Sequence, residues 1–162
     1  ETVLDDHEMI EKAQVFSTVD GFLNTRITQK TPIVRVITDA DSYYLDSKGD
    51  RMSLSENFSA RVPLVVGAIS EENCKPFLKL FKEIKKDDFL SKNITAAKIM
   101  PSGNVVLTNR SYDYKIVFGQ PKNVERKFKN YKAFYHHAIR DTLIKNYKEV
   151  NLMFTQQVVC KK

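Results

Sequence analysis

The stretch YYLDSKGDRMSLS, residues 43–55, decides how the first half of the chain is organised. It begins with two tyrosines and a leucine, which favour a β-strand. The polar residues 47–50 that follow have the composition of a tight turn, and residues 51–54 can return as a second strand. Acidic residues also lie close together here, so a calcium-binding loop is the competing interpretation.

A calcium loop needs oxygen ligands at alternate positions around a glycine and a closing bidentate glutamate. Asp39 and Asp41 begin such a pattern, but Tyr43 occupies the third ligand position. No glutamate follows at the closing position. The sequence therefore predicts a plain hairpin turn at residues 47–50 and no metal site.

The remaining strands are predicted from alternating or β-branched apolar residues between turn signals. Asp20-Gly21 and Pro101-Ser102-Gly103 are the clearest of these signals. A short helix is expected at residues 4–10. Strands are predicted at 13–19, 22–28, 33–37, 94–100, 104–108, 114–118 and 150–158.

Two main helices are predicted from apolar residues at helical spacing. Ser70 is the expected N-cap of the first, with glutamates 71 and 72 in the first turn. This order of elements predicts an α+β fold with a largely antiparallel sheet and two main helices. The apolar stripes are Phe77, Leu80, Phe81 and Ile84 in the first helix, and Val124, Phe128, Tyr131, Tyr135 and Ile139 in the second.

Composition and motifs argue against an enzyme. The 162 residues are 42% hydrophobic, enough for one full core, and no apolar run approaches the roughly 20 residues of a membrane helix. Cys74 and Cys160 have neither a zinc-site nor a disulfide-framework spacing, and whether they pair is left open. Phosphate-loop, nucleophile-elbow and zinc-protease motifs are absent from the sequence. We therefore expect no catalytic residues and no cofactor.

Positive charge is concentrated near the second helix, in a chain whose net charge is +6. Binding of nucleic acid or another anionic polymer through residues 121–148 is the alternative function, although the aromatic residues lie on the buried stripe rather than among the charges. We expect no nucleic-acid partner. The basic residues are Lys122, Arg126, Lys127, Lys129, Lys132, Arg140, Lys145 and Lys148.

The last predicted strand, residues 150–158, is expected at an edge of the sheet. Only a few residues follow it, so its outer N–H and C=O groups have no neighbouring strand. Such an edge is either protected, for which Lys161 and Lys162 are typical, or used to bind a partner strand. The pattern alone leaves both interpretations open.

Four segments together resemble the FtsQ/DivIB bacterial cell-division proteins, most closely the Bacteroidetes-type form. AQVFSTVDGFLNTRITQKTPIVRV (13–36) resembles the closing hairpin of a POTRA domain. YYLDSKGDRMSLS followed by ARVPLVVG (60–67) resembles the entry to the β-domain of that family. VVLTNRSYDYKIVFG (105–119) and VNLMFTQQVVC (150–160) continue in the same order. Asn151-Leu152-Met153-Phe154 departs from the Asp-Leu-Arg-Tyr run common in the family.

The resemblance implies two parts. Residues 1–37 are expected to be a POTRA-like βαββ remnant and residues 38–162 the β-domain. The full protein is expected to be anchored in the inner membrane by a single N-terminal helix missing from this sequence, with this region in the periplasm.

The resemblance also implies a non-enzymatic scaffold of the division machinery that helps to control septal peptidoglycan synthesis. Its partners would be FtsB/DivIC-like and FtsL-like proteins, with other division proteins bound through the POTRA part. In the family a partner adds a strand to the last strand of the β-domain. The residues implied by position are Phe154, Thr155, Gln156, Gln157 and Val158. Whether Phe154 faces the core or the partner is left open.

Overall fold

The structure is a computed structural model that describes residues 4, 6–67, 69 and 74–162. Strands form at β1 (Ile10–Ser17), β2 (Leu23–Gln29), β3 (Pro32–Ile37), β4 (Ser42–Asp46), β5 (Arg51–Met52), β6 (Leu64–Val66), β7 (Ile94–Ile99), β8 (Val105–Asn109), β9 (Lys115–Gly119), β10 (Glu149–Asn151) and β11 (Val159–Lys161). Helices form at α1 (Cys74–Lys86), α2 (Asp88–Asn93) and α3 (Val124–Arg140), and a 3₁₀ helix at Leu143–Asn146.

Nine of these strands form one mixed sheet, in the order β11-β10-β9-β8-β7-β6-β3-β4-β5. Five of its eight strand pairings are antiparallel. The predicted α+β class with a largely antiparallel sheet is therefore confirmed. The parallel pairings β6–β7 and β9–β10 each span a helical connection, which supplies the length that a parallel crossover requires.

The core lies on one face of this sheet. One cross-strand row of small and branched apolar side chains is buried along its whole length, because neighbours in register point to the same face. Helix α3 packs on this face, with the rings of Phe118 and Phe128 centred 5.1 Å apart. Burial of each large side chain contributes on the order of 2 kcal/mol. The row is Val36, Val65, Ala97, Leu107, Ile116 and Val150.

The N-terminal hairpin forms a separate two-stranded sheet. Strands β1 and β2 pair antiparallel across the predicted Asp20-Gly21 turn, where Gly21 has a φ of 81°. The predicted helix at 4–10 is not seen at residues 6–9, which form turns, and β1 begins at Ile10. Residues 1–3 and 5 lie outside the described part of the chain.

Strand β3, which the sequence analysis assigned to the N-terminal part, lies inside the large sheet between β4 and β6. Val34 and Val36 in it are fully buried. The predicted division between residues 37 and 38 stays a prediction. The unit that is separate in the structure is the β1–β2 hairpin.

Helix α1 has the predicted stripe, and all four of its members are buried. The predicted cap residues Ser70, Glu71 and Glu72 lie outside the described residues. A helix that the sequence analysis missed, α2, follows directly. Asp87 caps it by accepting the N–H groups of Phe89 and Leu90, both at 3.0 Å.

Helix α3 confirms the second predicted helix but buries a slightly different stripe. Val124, Phe128 and Tyr131 are buried as predicted, whereas Ile139 is 41% exposed. Ala138 is buried instead, so over the last turns of the helix the buried face passes through position 138 and not through position 139. The prediction for Ile139 is therefore wrong.

The stretch that opened the sequence analysis is a hairpin, as predicted. Asp46 ends β4 and is buried, and its Oδ1 accepts the backbone N–H groups of Lys48, Gly49 and Asp50 at 2.7–2.9 Å. One carboxylate thus satisfies three donors of the turn, which fixes the pairing of β4 with β5.

We expect Asp46→Ala to lower the free energy of unfolding by about 2 kcal/mol, because three N–H groups lose a charged acceptor. Asp50→Ala is the matched control on the same turn. Asp50 is half exposed and its only ion pair is with Lys30 at 3.5 Å, in the described part of the chain. Asp50→Ala should lower the free energy of unfolding, measured by urea denaturation, by less than about 1 kcal/mol. Equal losses in the two variants would contradict this account of the turn.

A buried hydrogen-bond network joins β8, α2, α3 and Tyr114, the residue just before β9. Asn109 Nδ2 lies 2.9 Å from Asn93 Oδ1 and 2.8 Å from the hydroxyls of Tyr114 and Tyr131. The Tyr131 hydroxyl donates to Asn93 Oδ1 at 2.7 Å. Burial, partly offset by hydrogen bonds with Tyr114 and Asn109, raises the pKa of Tyr131 to about 12. These hydroxyls therefore stay protonated at neutral pH.

Candidate partner-binding edge

Strand β11 is the terminal strand of the large sheet. It pairs antiparallel with β10, and no described strand lies on its other side. Val159 in it is 42% exposed. The chain therefore has a sheet edge close to the predicted position, although the strand is shorter and lies further along the sequence.

The backbone of β10 shows which groups of β11 face outward. Lys115 N–H donates to Lys148 O at 3.0 Å, and Leu152 N–H donates to Val117 O at 2.8 Å. The C=O of Lys148 and the N–H of Leu152 thus point toward β9. By alternation, Val150 also bonds toward β9, and Glu149 and Asn151 bond toward β11.

The residues of β11 opposite Glu149 and Asn151 are Lys161 and Val159. Their N–H and C=O groups therefore point into the sheet. Lys161 O also accepts the N–H of Lys148, the residue just before β10, at 2.8 Å. Cys160 lies between them, so its N–H and C=O point away from β10. These two groups are the donor and acceptor that the β11 edge offers to an added strand.

The five predicted partner-binding residues do not form a strand. Strand β10 ends at Asn151, and residues 152–158 connect it to β11. The side chain of Asn151 accepts the N–H of Met153 at 2.9 Å, a local turn that competes with continuation of the strand. The prediction of one strand over residues 150–158 is therefore wrong.

The connection nevertheless carries these residues close to the edge. Phe154 is 53% exposed, so its ring is not in the core. Thr155 O accepts from Asn130 Nδ2 at 3.0 Å, which ties the connection to α3. Met153 packs on Gly119, where an added Cβ would lie 2.8 Å from Met153 Cγ. Val158 packs against the core.

A groove of about 430 Å³ runs between this connection and the C-terminal half of α3. Gln156, Gln157 and Val158 form one wall, and Phe134 and Tyr147 belong to the other. Three of the five predicted residues thus line an apolar groove beside the edge, which is the kind of pocket that recognises side chains of an added strand.

A half-buried thiol lies in the edge strand. Burial raises the pKa of Cys160, so the group is protonated at neutral pH. Cys74 and Cys160 are both free cysteines. The structure thus contains no bond between the two.

The basic segment 121–148 is less available to an anion than its composition indicates. Lys127 is buried, and its Nζ donates to Phe118 O at 2.7 Å and to Gln120 O at 2.9 Å. Burial lowers the pKa of this amine. Lys132 forms an ion pair with Asp87.

The ion pair with Lys132 changes the pKa of the Asp87 carboxyl group. Partial burial alone would raise the pKa of Asp87, but the hydrogen bond from Lys132 and those from the backbone of α2 outweigh it and lower the pKa. Asp87 is therefore ionised at neutral pH and holds Lys132 in place. Two of the eight basic side chains thus have structural roles.

Sequence reasoning missed Cys160 and the α3 wall of the groove. The signal for the first was Val158-Val159-Cys160, an apolar run after two glutamines, which could have been assigned as a separate strand. The wall opposite the connection had no usable signal, because Phe134 of α3 and Tyr147 after the 3₁₀ helix meet the connection only in the folded chain.

The described residues contain no group of three His, Cys, Asp or Glu side chains arranged to hold a metal ion. Among them, too, no helix has the length and apolar character needed to cross a bilayer.

Comparison with known proteins adds one finding. The family model described as "FtsQ/DivIB, C-terminal related" matches residues 31–161. The match covers the large sheet and every helix named above. A comparison with curated protein sequences finds no match.

Proposed function

Because the chain belongs to the FtsQ/DivIB C-terminal-related family of non-enzymatic division scaffolds, we propose that it recruits division proteins by strand addition at β11. The single observation that carries this proposal is the register of β10 and β11 at the sheet edge, which by alternation turns the N–H and C=O of Cys160 outward. Backbone hydrogen bonds there would supply affinity. Specificity would come from the side chains of the adjacent connection, of which the last three line the groove. These side chains are Phe154, Thr155, Gln156, Gln157 and Val158.

The partners we propose are an FtsB/DivIC-like and an FtsL-like protein, and through them the control of septal peptidoglycan synthesis. The POTRA-like part within residues 1–37 would bind other division proteins. The full protein would be a single-pass inner-membrane protein with this region in the periplasm. Membership of this family, whose members are membrane-anchored and periplasmic, supports the proposed location.

The test is a titration of this chain with the soluble FtsB/FtsL-like pair from the same organism, followed by calorimetry at two salt concentrations. We expect affinity to change less than about threefold between 50 and 200 mM salt, because backbone pairing neutralises few charges. Binding to an anionic polymer through α3 would instead weaken steeply over this range. A steep loss, or no binding at either salt, would contradict strand addition.

A variant separates the two surfaces in the same experiment. Arg126 and Lys129 are exposed on α3. Arg126→Glu with Lys129→Glu should leave binding of the partner pair nearly unchanged. A loss of more than about tenfold would identify α3 as the binding surface.

A further inference from the structure

A second groove lies far from β11, at the end of β6, β7 and β8. Its volume is about 800 Å³. Three cationic side chains surround it from three different elements. Arg61 precedes β6, Lys92 is in the last turn of α2, and Arg110 follows β8.

None of these three cations has an ion-pair partner among the described residues, and none of the side chains described as lining the groove is acidic. Several bases elsewhere are paired with carboxylates. Lys30, Lys48 and Arg51, for example, each lie within 4.0 Å of a carboxylate. Uncompensated positive charge in a concave site favours an anionic ligand, because a low-dielectric wall strengthens the field.

The groove is also held in shape before any ligand arrives. Arg110 Nε donates to Lys92 O at 2.9 Å, and Arg110 N–H donates to Asn93 O at 2.8 Å. The opposite wall is fixed because Pro63 O accepts from Arg35 N–H at 3.0 Å. The terminal guanidinium nitrogens of Arg110 remain available. A preorganised donor loses less conformational entropy on binding.

We propose that this groove binds an acidic peptide segment of a protein partner. The floor contains Pro63 and Ile94, and the hydroxyls of Ser91 and Thr95 lie beside the cations. A peptide matches this mixture, since its carboxylates would meet the cations while its aliphatic groups cover the floor. A duplex nucleic acid instead needs a continuous basic stripe that follows its phosphates.

This site is independent of the edge proposal. Between β8 and β11 lie β9 and β10, and neither Arg61, Lys92 nor Arg110 belongs to the basic segment 121–148. An acidic peptide could therefore bind while a partner strand occupies β11.

The experiment uses a fluorescein-labelled peptide of alternating Glu and Leu, eight residues long, and the same peptide with Gln in place of Glu. Fluorescence anisotropy measures the affinity of each for the whole chain. We expect the acidic peptide to bind and the Gln peptide to bind at least about tenfold more weakly. No binding of the acidic peptide at low salt would overturn the proposal.

The two matched double variants each reverse the charge of one arginine and one lysine. Arg61→Glu with Lys92→Glu should lower the affinity for the acidic peptide by at least about tenfold. Arg126→Glu with Lys129→Glu makes the same change of net charge on α3 and should have less than about threefold effect. Equal losses in the two double variants would mean non-specific attraction and would overturn the site.

Two further measurements keep the result decisive. Circular dichroism checks that each variant is folded, and Arg61→Gln with Lys92→Gln replaces the reversal if that variant unfolds. A single-stranded oligonucleotide serves as competitor. One outcome is that the oligonucleotide displaces the peptide at a lower concentration than unlabelled peptide does, and that the variants of Arg61 and Lys92 also lower its affinity. In that case the occupant is a nucleic acid and the proposal is wrong.

Discussion

Cys160→Pro is expected to abolish binding of the FtsB/FtsL-like pair and to leave the domain folded. Proline removes the N–H of residue 160, which by the register of β10 and β11 points away from β10. Proline is tolerated on edge strands for this reason. The inward groups of Val159 and Lys161 keep their partners in β10, so the free energy of unfolding should fall by less than about 1.5 kcal/mol.

Cys160→Ala is the control for this variant. It removes the same thiol but keeps the N–H, so binding should remain within about threefold of wild type. Calorimetry measures binding and urea denaturation measures stability. If the proline variant unfolds, the edge is structurally necessary. If it stays folded and still binds, strand addition at β11 is wrong.

The second large effect concerns stability. Asn109→Ala is expected to lower the free energy of unfolding by about 3–4 kcal/mol, because it leaves several buried partners without their hydrogen bonds. The lost Nδ2 lies within hydrogen-bond distance of Asn93 Oδ1 and two tyrosine hydroxyls and has two hydrogens to donate to them. The lost Oδ1 accepts the N–H groups of Ser111 and Tyr112 at 2.7 and 3.0 Å.

Asn57→Ala is the matched control for that variant, since Asn57 is an exposed loop residue. Its effect in the same urea titration should be within about 0.5 kcal/mol of zero. A loss below about 1.5 kcal/mol for Asn109→Ala would show that the network is dispensable. The partner pair should still bind the folded Asn109→Ala protein, because the network lies away from β11.

Local elements were predictable from this sequence where the signal is contained in neighbouring residues. The stripe of α1 and the turn after Asp46 are examples, since helical spacing and turn chemistry each involve fewer than ten consecutive positions. Helix α2 escaped prediction because six residues are too few for a periodic signal. Its cap, Asp87, becomes recognisable only with the helix beside it.

The candidate site was predictable in kind but not in detail. An edge near the C-terminus followed from the order of elements and from the family. The break after Asn151 did not, because residues 150–158 alternate well enough to continue as a strand. The exposed setting of Phe154 depends on that break, as does the outward direction of the Cys160 backbone.

Taken by itself, the sequence determined the α+β class, the main helices, most strands and the family, because each of these depends on patterns local to the chain or on their order. Tertiary structure alone decided which strands pair in parallel, and that Lys127 is buried while Arg126 and Lys129 are exposed. It also decided that Arg61, Lys92 and Arg110 share one groove. Those features depend on residues that are distant in sequence and meet only through packing, and a single position in the sequence carries no signal of its distant neighbours.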